Sequence, residues 1–310
     1  MIRGGAIGDF ILTLPAIKAL RDAYPRANID ILGYKHIAAL AEHRFYADNV
    51  RSIESADLAR FFAKGADLQP ELSDYFGSFD LIVSYLFDPD LIFEVNLRRC
   101  GANRILRGPA KIENGSHATK QLTRPIQELG LPISDFAPHL FPSAEDRHRA
   151  AEFLAGLNEP VVALHPGSGT YKKNWPLENW IELGDYFLAN CAGSLLIVAG
   201  EADQVQSKQL YGRWQTNQRI RFARRLSLAD LAAILENTIF LGHDSGVSHL
   251  AAATDAGCIL LFGPTDPAIW APKNDKARVI RAPGENLGRL DVDLVCAAID
   301  QELMRIGIKT

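Results

Sequence analysis

Four stretches of the 310-residue chain hold residue types and spacings suited to chemistry on a charged ligand. The chain opens MIRGGAIGDFILTLPAIKAL, a glycine-rich turn leading at once into an apolar helix, the usual start of a phosphate site. An acidic residue, Asp9, stands where the anion is expected; an aspartate there also serves as a helix cap. HPGSGTYKKNWPLENW (165–180) ends a strand in His165-Pro166, then offers Ser168, Gly169, Thr170 and two lysines before a helix with Pro176 in its first turn. Small hydroxyl residues, backbone N–H groups and Lys173 together make an anion cradle; the alternative is a polar turn with solvated lysines. In FLGHDSGVSHLAAATDA (240–256) a strand runs out at His243, and Asp244, Ser245 and Gly246 form the turn into an Ala-rich helix with His249 in its first turn. That helix start offers N–H donors where the dipole favours a phosphate, while Asp244 is also placed to cap it. VAGEADQ (198–204) repeats the pattern with Glu201, a carboxylate able to accept hydrogen bonds from sugar hydroxyls or simply to sit at a helix start. Hydroxyls with lysine, a carboxylate and a donor-rich helix start, in that order, suit a nucleotide diphosphate-sugar.

Such residues need elements that bring strand ends to one place. Short β-rich runs alternate with amphipathic stretches along the whole chain, the βαβ rhythm of parallel sheets. In the first half, residues 28–33, 49–53, 80–85 and 103–108 read as strands, and 15–25 and 117–130 as helices. In the second half, 160–167, 194–201, 238–246 and 258–266 read as strands, and 176–190, 228–237 and 247–257 as helices. A last helix is expected over 291–308. Residues 130–160 carry Pro132, Pro138, Pro142 and Pro160, which places a joint near 140–158. The expected domains are therefore 1–145 and 146–310, with the last helix a candidate to return to the amino-terminal one. Two doubly wound domains put ligands at the carboxyl ends of their strands, which is where the residues above fall.

Bulk properties narrow the function classes. Apolar residues make up 47% and charged residues 23%, as in ordinary globular proteins, and a net charge of −4 with no Lys/Arg run argues against nucleic acid. Cys100, Cys191, Cys258 and Cys296 form no CxxC pair and read as buried thiols of a reducing compartment. No apolar stretch approaches a membrane span and no signal peptide opens the chain, so a cytoplasmic protein is expected.

Taken together, GAIGDFILTLPAIKAL, HPGSGTYKKNWP and HDSGVSHLAAATDAGCILLFGPTDP resemble glycosyltransferase family 9, the ADP-heptose:lipopolysaccharide heptosyltransferases, over nearly the whole chain. The resemblance implies an α/β GT-B fold, two Rossmann-like doubly wound parallel-sheet domains facing a cleft. It implies an amino-terminal acceptor domain, a carboxyl-terminal nucleotide-sugar domain, and inverting transfer without metal or other cofactor. By the same resemblance Asp9 is the catalytic base. Lys173, with Ser168 and Thr170 beside it, meets the donor phosphates, and Glu201 holds the ribose. Asp244, Ser245, Gly246 and His249 form the DSGxxH motif at the phosphates and sugar, and the backbone near Leu226 lies along the adenine. The implied partners are a nucleotide-sugar donor and a lipid-linked glycan acceptor at the inner membrane face. A related transferase using another nucleotide-sugar and a non-catalytic nucleotide-sugar-binding protein are the competing readings.

Several features depart from that pattern or imitate others. Family members usually carry several apolar residues before the RGGAIGD turn, whereas only Met1-Ile2 precede it here, so a truncated first strand or a late-starting chain is expected. RGGAIG also imitates a dinucleotide fingerprint, with Asp30 about 20 residues on, but Arg3 stands where the first glycine is required. Asp88-Pro89-Asp90 imitates a metal-binding DxD, although hard-cation sites usually recruit further oxygens, and no metal is expected. Gly8 and Asp88 are acceptor-side candidates, as are Arg60 and Lys64, one turn apart on a candidate helix. Arg98, Arg99, Arg104, Arg107 and Lys111 cluster further on; an acidic glycan would need such cations, and solvated surface charge is the alternative for each.

Overall fold

The βαβ rhythm resolves into two parallel sheets in two compact units, Met1–Phe136 and Ala137–Thr310. The computed structural model describes residues 1–200 and 204–308, with the side chains of 204–207 left undescribed.

The first unit holds β1 (Ile2–Arg3), β2 (Asp30–Gly33), β3 (Asn49–Ser52), β4 (Ile82–Ser84) and β5 (Ile105–Arg107) in the order β3-β2-β1-β4-β5. β1 spans two residues yet lies mid-sheet, with Ile2 opposite Leu32 on one side and Ser84 on the other. The second unit holds β6 (Val161–His165), β7 (Ser194–Ala199), β8 (Ile220–Arg224), β9 (Ile239–His243), β10 (Gly257–Phe262) and β11 (Ala277–Arg281) in the order β11-β10-β9-β6-β7-β8. Both are the doubly wound Rossmann order, in which chain direction across the sheet reverses at one point. That switch lies between β1 and β4 in the first sheet and between β6 and β9 in the second. Strands β6, β9 and most of β7 and β10 are buried, which is why they read as unbroken apolar runs rather than alternating ones.

Several boundaries differ from the sequence expectation. The first helix runs Ile7–Ala23 and passes through Pro15, where a start was expected at residue 15. Proline ended the periodic reading there, but Phe10, Ile11, Leu12 and Leu14 are all buried, and tertiary burial outweighs the one missing N–H. The expected helix 117–130 is two short pieces, Ala118–Leu122 and Arg124–Gln127, interrupted ahead of Pro125. Edge strands β8 and β11 and helices such as Pro70–Gly77, Ile92–Arg99 and Gln204–Trp214 escaped the sequence reading. Their apolar faces are short or interrupted.

The units divide at Phe136/Ala137, ahead of the proline-rich joint expected at 140–158 and the boundary at 145/146. Residues of that stretch are tied into the second unit. The Leu140 N–H donates to Ala253 O at 2.7 Å. Helix Ala144–Leu154, started by a Ser143/Asp146 capping box, pairs Arg147 with Glu236 at 2.8 Å and Arg149 with Asp230 at 2.6 Å. The last helix, Val292–Arg305, falls within the second unit and packs on its core. Val295, Ala298, Ile299 and Leu303 join the core with Trp180, Leu183 and Phe187, and Tyr186 Oη donates to Asp300 at 2.7 Å. No helix among the described residues is long and apolar enough to cross a membrane.

Candidate functional site

Asp9 and Asp88 follow the two switch-point strands of the first sheet, Lys173 and Asp244 those of the second, and the two sets are built separately. In the first unit, β1 ends in Gly4-Gly5 and the chain turns into helix Ile7–Ala23. Gly5 has φ +102°, and a Cβ there would lie 2.8 Å from Asp9 Oδ2, so both backbone and neighbour demand glycine. Asp9 sits in the first helical turn, one residue after Gly8. Its Oδ2 accepts the Ala6 N–H at 3.0 Å, and its Oδ1 lies 3.3 Å from the Arg3 guanidinium. The cap and the chemical reading therefore coexist: two contacts hold the carboxylate, and 38% of the side chain remains exposed. A carboxylate has about four acceptor positions, so capacity remains for a substrate hydroxyl.

Arg3 is buried beneath this turn. It donates to the Asp9 carbonyl at 3.3 and 3.2 Å, and Thr13 Oγ1 donates to the same oxygen at 2.8 Å. The guanidinium also lies 5.6 Å from the centre of the buried Tyr85 ring, whose hydroxyl donates to Leu122 O at 2.7 Å. Burial pushes the Tyr85 phenol up, which keeps it an O–H donor. Gly108, just past β5, lets the chain cross that ring: a Cβ there would lie 2.1 Å from it. Gly108→Ala is accordingly expected to destabilise the first unit by about 1–3 kcal/mol through overpacking, measured as a lowered melting temperature. An unchanged temperature would show that the Tyr85 ring is free to move.

The acceptor-side candidates are less gathered. Asp88 caps helix Ile92–Arg99, its two oxygens accepting the Phe93 and Glu94 N–H groups at 3.2 and 2.9 Å. Arg60 lies on the 3-10 helix Ala56–Phe62, but Lys64 lies beyond its end, so the two are not one turn apart on a helix. Ala63 is extended and Gly65 takes φ +68°, which ends the helical path. Arg60 donates to Asp67 O at 3.3 Å, and both side chains are exposed. In the arginine cluster, Arg98 and Arg107 pair with Glu94 at 2.8 and 3.1 Å, while Lys111 lies 5.4 Å from the Phe87 ring. A cavity of about 780 Å³ opens at the other edge of this sheet, among Met1, Tyr24, Asp30, Asp80 and Arg104; strands begin there, and of the cation cluster it takes Arg104 alone, away from Asp9 and Asp88.

In the second unit, the loops after β6 and β9 meet because these strands are neighbours, His165 lying opposite Gly242. Lys173 Nζ donates to Asp244 Oδ2 at 2.6 Å, joining residues 71 positions apart. The Lys173 side chain is 28% exposed and that of Asp244 10%. His243, fully buried, fastens the two loops. Its Nε2 accepts the Trp175 N–H at 2.8 Å, which makes Nδ1 the protonated nitrogen, 3.3 Å from Gly167 O. Trp180 meets the imidazole edge-on at 5.3 Å. Ser245 is the N-cap of helix Gly246–Ala253: its Oγ accepts the Ser248 N–H at 3.3 Å. The N–H groups of Gly246 and Val247 precede the first intrahelical bond, from His249 N to Ser245 O, and both residues are partly exposed.

Other predicted residues fall differently. Ser168 is buried, and its hydroxyl lies within its own loop, 2.8 Å from Thr170 O and 2.7 Å from Asn174 Oδ1, its one hydrogen serving either acceptor. It shapes the loop, whereas Thr170 is exposed beside it. His249 is buried in the helix's first turn. Leu226 is half-buried after β8, next to Ser227, which caps helix Leu228–Leu235. Glu201 lies outside the described residues. Sequence reading passed over Arg3 and His243. The signal for Arg3 was a charged residue in the short first strand, directly before the glycine turn.

The model of glycosyltransferase family 9 (heptosyltransferase) matches residues 103–292, more than half of the chain. The chain belongs to glycosyltransferase family 9. Among curated relatives, lipopolysaccharide heptosyltransferase 3 of Escherichia coli is 25% identical over 284 residues, 86% of this chain and 83% of that protein. Lipopolysaccharide heptosyltransferase 1 of Escherichia coli O18:K1:H7 is 29% identical over 157 residues, 49% of this chain and 47% of that protein. The match to heptosyltransferase 1 thus spans about half of either protein. Among solved structures, the family 9 glycosyl transferase of Veillonella parvula superposes with a TM-score of 0.81 at 17% identity, covering 98% of this chain and 96% of that one. Escherichia coli heptosyltransferase WaaC with ADP gives 0.72 at 19% identity, covering 97% and 98%. These likenesses carry the fold: two Rossmann-like parallel-sheet units of GT-B type. As a family 9 member the chain is a glycosyltransferase.

Proposed function

We propose that this family 9 glycosyltransferase moves heptose from ADP-heptose onto the inner core of lipopolysaccharide, inverting the anomeric centre and using no metal. The relatives named for lipopolysaccharide and the solved WaaC with ADP support the substrate class. The observation that carries the reading is the pairing of Lys173 with Asp244 at the start of helix Gly246–Ala253. A diphosphate is the ligand that such a place receives best: Lys173 is held ready by a carboxylate, and the Gly246 and Val247 N–H groups precede the first intrahelical bond at the positive end of the helix dipole.

In this reading the acceptor hydroxyl gives its proton to the Asp9 carboxylate as its oxygen bonds to the anomeric carbon. The bond from that carbon to the diphosphate oxygen breaks, and ADP departs with the electron pair. Lys173 and the helix start meet the charge that grows on the leaving oxygens, the task a metal performs in other transferases. Thr170 and the backbone near Leu226 line the donor side, and Glu201 is assigned to the ribose hydroxyls. Arg60, Lys64 and the exposed Arg107 are assigned to the anionic acceptor at the inner membrane face, with the protein in the cytoplasm.

A thermal-shift series tests the donor. ADP and ADP-heptose are expected to raise the melting temperature with unchanged response in EDTA, by about 2.7 kcal/mol of stabilisation at a hundred times Kd. A shift with UDP or GDP and none with ADP would replace the proposed nucleotide, and loss of the ADP shift in EDTA would restore a metal to the site.

A further inference from the structure

Arg3 combines burial, charge and reach in a way the transfer mechanism above does not use. The side chain is 5% exposed, whereas its partner Asp9 is 38% exposed. Here the cation is hidden and the carboxylate is presented. Burial pulls the guanidinium below its usual value, with Asp9 and then Tyr85 opposing that shift, yet an arginine remains charged.

The guanidinium spends its donors on two parts of one residue. It donates twice to the Asp9 carbonyl, at 3.3 and 3.2 Å, and lies 3.3 Å from Oδ1. The Ala6 N–H holds the other oxygen, Oδ2, at 3.0 Å. Main chain and both carboxylate oxygens are thereby fixed. Arg3 itself cannot drift. Its strand is clamped where a Cβ on Gly33 would lie 2.7 Å from Arg3 O, and its guanidinium lies against the Tyr85 ring, which Gly108 backs. No lysine could do this, since a single ammonium point cannot serve a carbonyl and a carboxylate with a planar fork.

We propose that Arg3 is a positioning residue for the transfer step, aiming the Asp9 carboxylate before the acceptor arrives. The proposal rests on the reading of Asp9 as the base. Misplacing a reacting group by about 1 Å costs on the order of a hundredfold in rate, and that is the scale of effect to expect.

The test compares Arg3→Lys, Arg3→Met, Asp9→Asn and the double variant Arg3→Met/Asp9→Asn, with ADP-heptose as donor and heptose-free lipopolysaccharide core as acceptor. Arg3→Met is expected to lower kcat about a hundredfold and Arg3→Lys about tenfold, with the donor KM and the ADP thermal shift unchanged. In the Asp9→Asn background, Arg3→Met is expected to cost nothing further, since a group acting through Asp9 has nothing left to aim. Wild-type kcat in Arg3→Lys overturns the proposal, and that variant decides alone if Arg3→Met fails to fold. Equal losses from Arg3→Met in both backgrounds also overturn it, leaving Arg3 a structural residue. Full activity in Asp9→Asn would instead remove the base assignment on which the proposal stands.

Discussion

Asp9→Asn is expected to lower turnover by about 10²–10⁴-fold, the usual contribution of a general base, while ADP still raises the melting temperature as it does in the unaltered protein. The substitution is chosen because Asp9 holds two structural contacts, the Ala6 N–H at 3.0 Å and the Arg3 guanidinium at 3.3 Å. Asparagine keeps an oxygen for the helix start but has no lone pair basic enough to take a hydroxyl proton. Asp9→Ala removes the cap as well, at a further cost of about 1 kcal/mol in stability, so the pair of variants separates chemistry from folding. Turnover that survives in Asp9→Asn would leave this residue a helix cap and nothing more.

The second large effect is expected at Lys173. Lys173→Ala should reduce kcat/KM by about 10²–10³-fold and weaken ADP binding in calorimetric titration, because the charge on the departing diphosphate loses its cation. The loss has two parts that a further variant separates. With Lys173 gone, the Asp244 carboxylate, 10% exposed, stands without its partner in the site proposed for the diphosphate. Like charges there oppose binding, so Lys173→Ala/Asp244→Asn is expected to recover part of the ADP affinity without restoring turnover. If the double variant binds ADP no better than Lys173→Ala, Asp244 is not near the phosphates.

The four candidate stretches were legible because their signals are local. Glycine and proline mark turns through φ preference and the missing N–H, and apolar runs of five or six residues mark buried parallel strands. That is enough to place Asp9, Lys173 and Asp244 each just beyond a strand. The same local logic misread the joint: four prolines suggested a linker where helix Ala144–Leu154 in fact pairs with Glu236 and Asp230 across some eighty residues. It also started the first helix at Pro15, because a missing N–H is visible in a sequence and the burial of Phe10, Ile11 and Leu12 that outweighs it is not.

The chain's own order of residues thus determined which groups stand at strand ends, and through its three motifs the family. Tertiary structure decided what those groups touch. The β6–β9 pairing alone brings Lys173 to Asp244, and His243 to Trp175 and Gly167. The loop's closure on itself turned Ser168 inward, and the central place of β1 put Arg3 beneath Asp9. The reason is range. Turn chemistry and periodicity act over a few residues, whereas contacts between adjacent parallel strands join positions tens of residues apart, and only the packed sheet selects them.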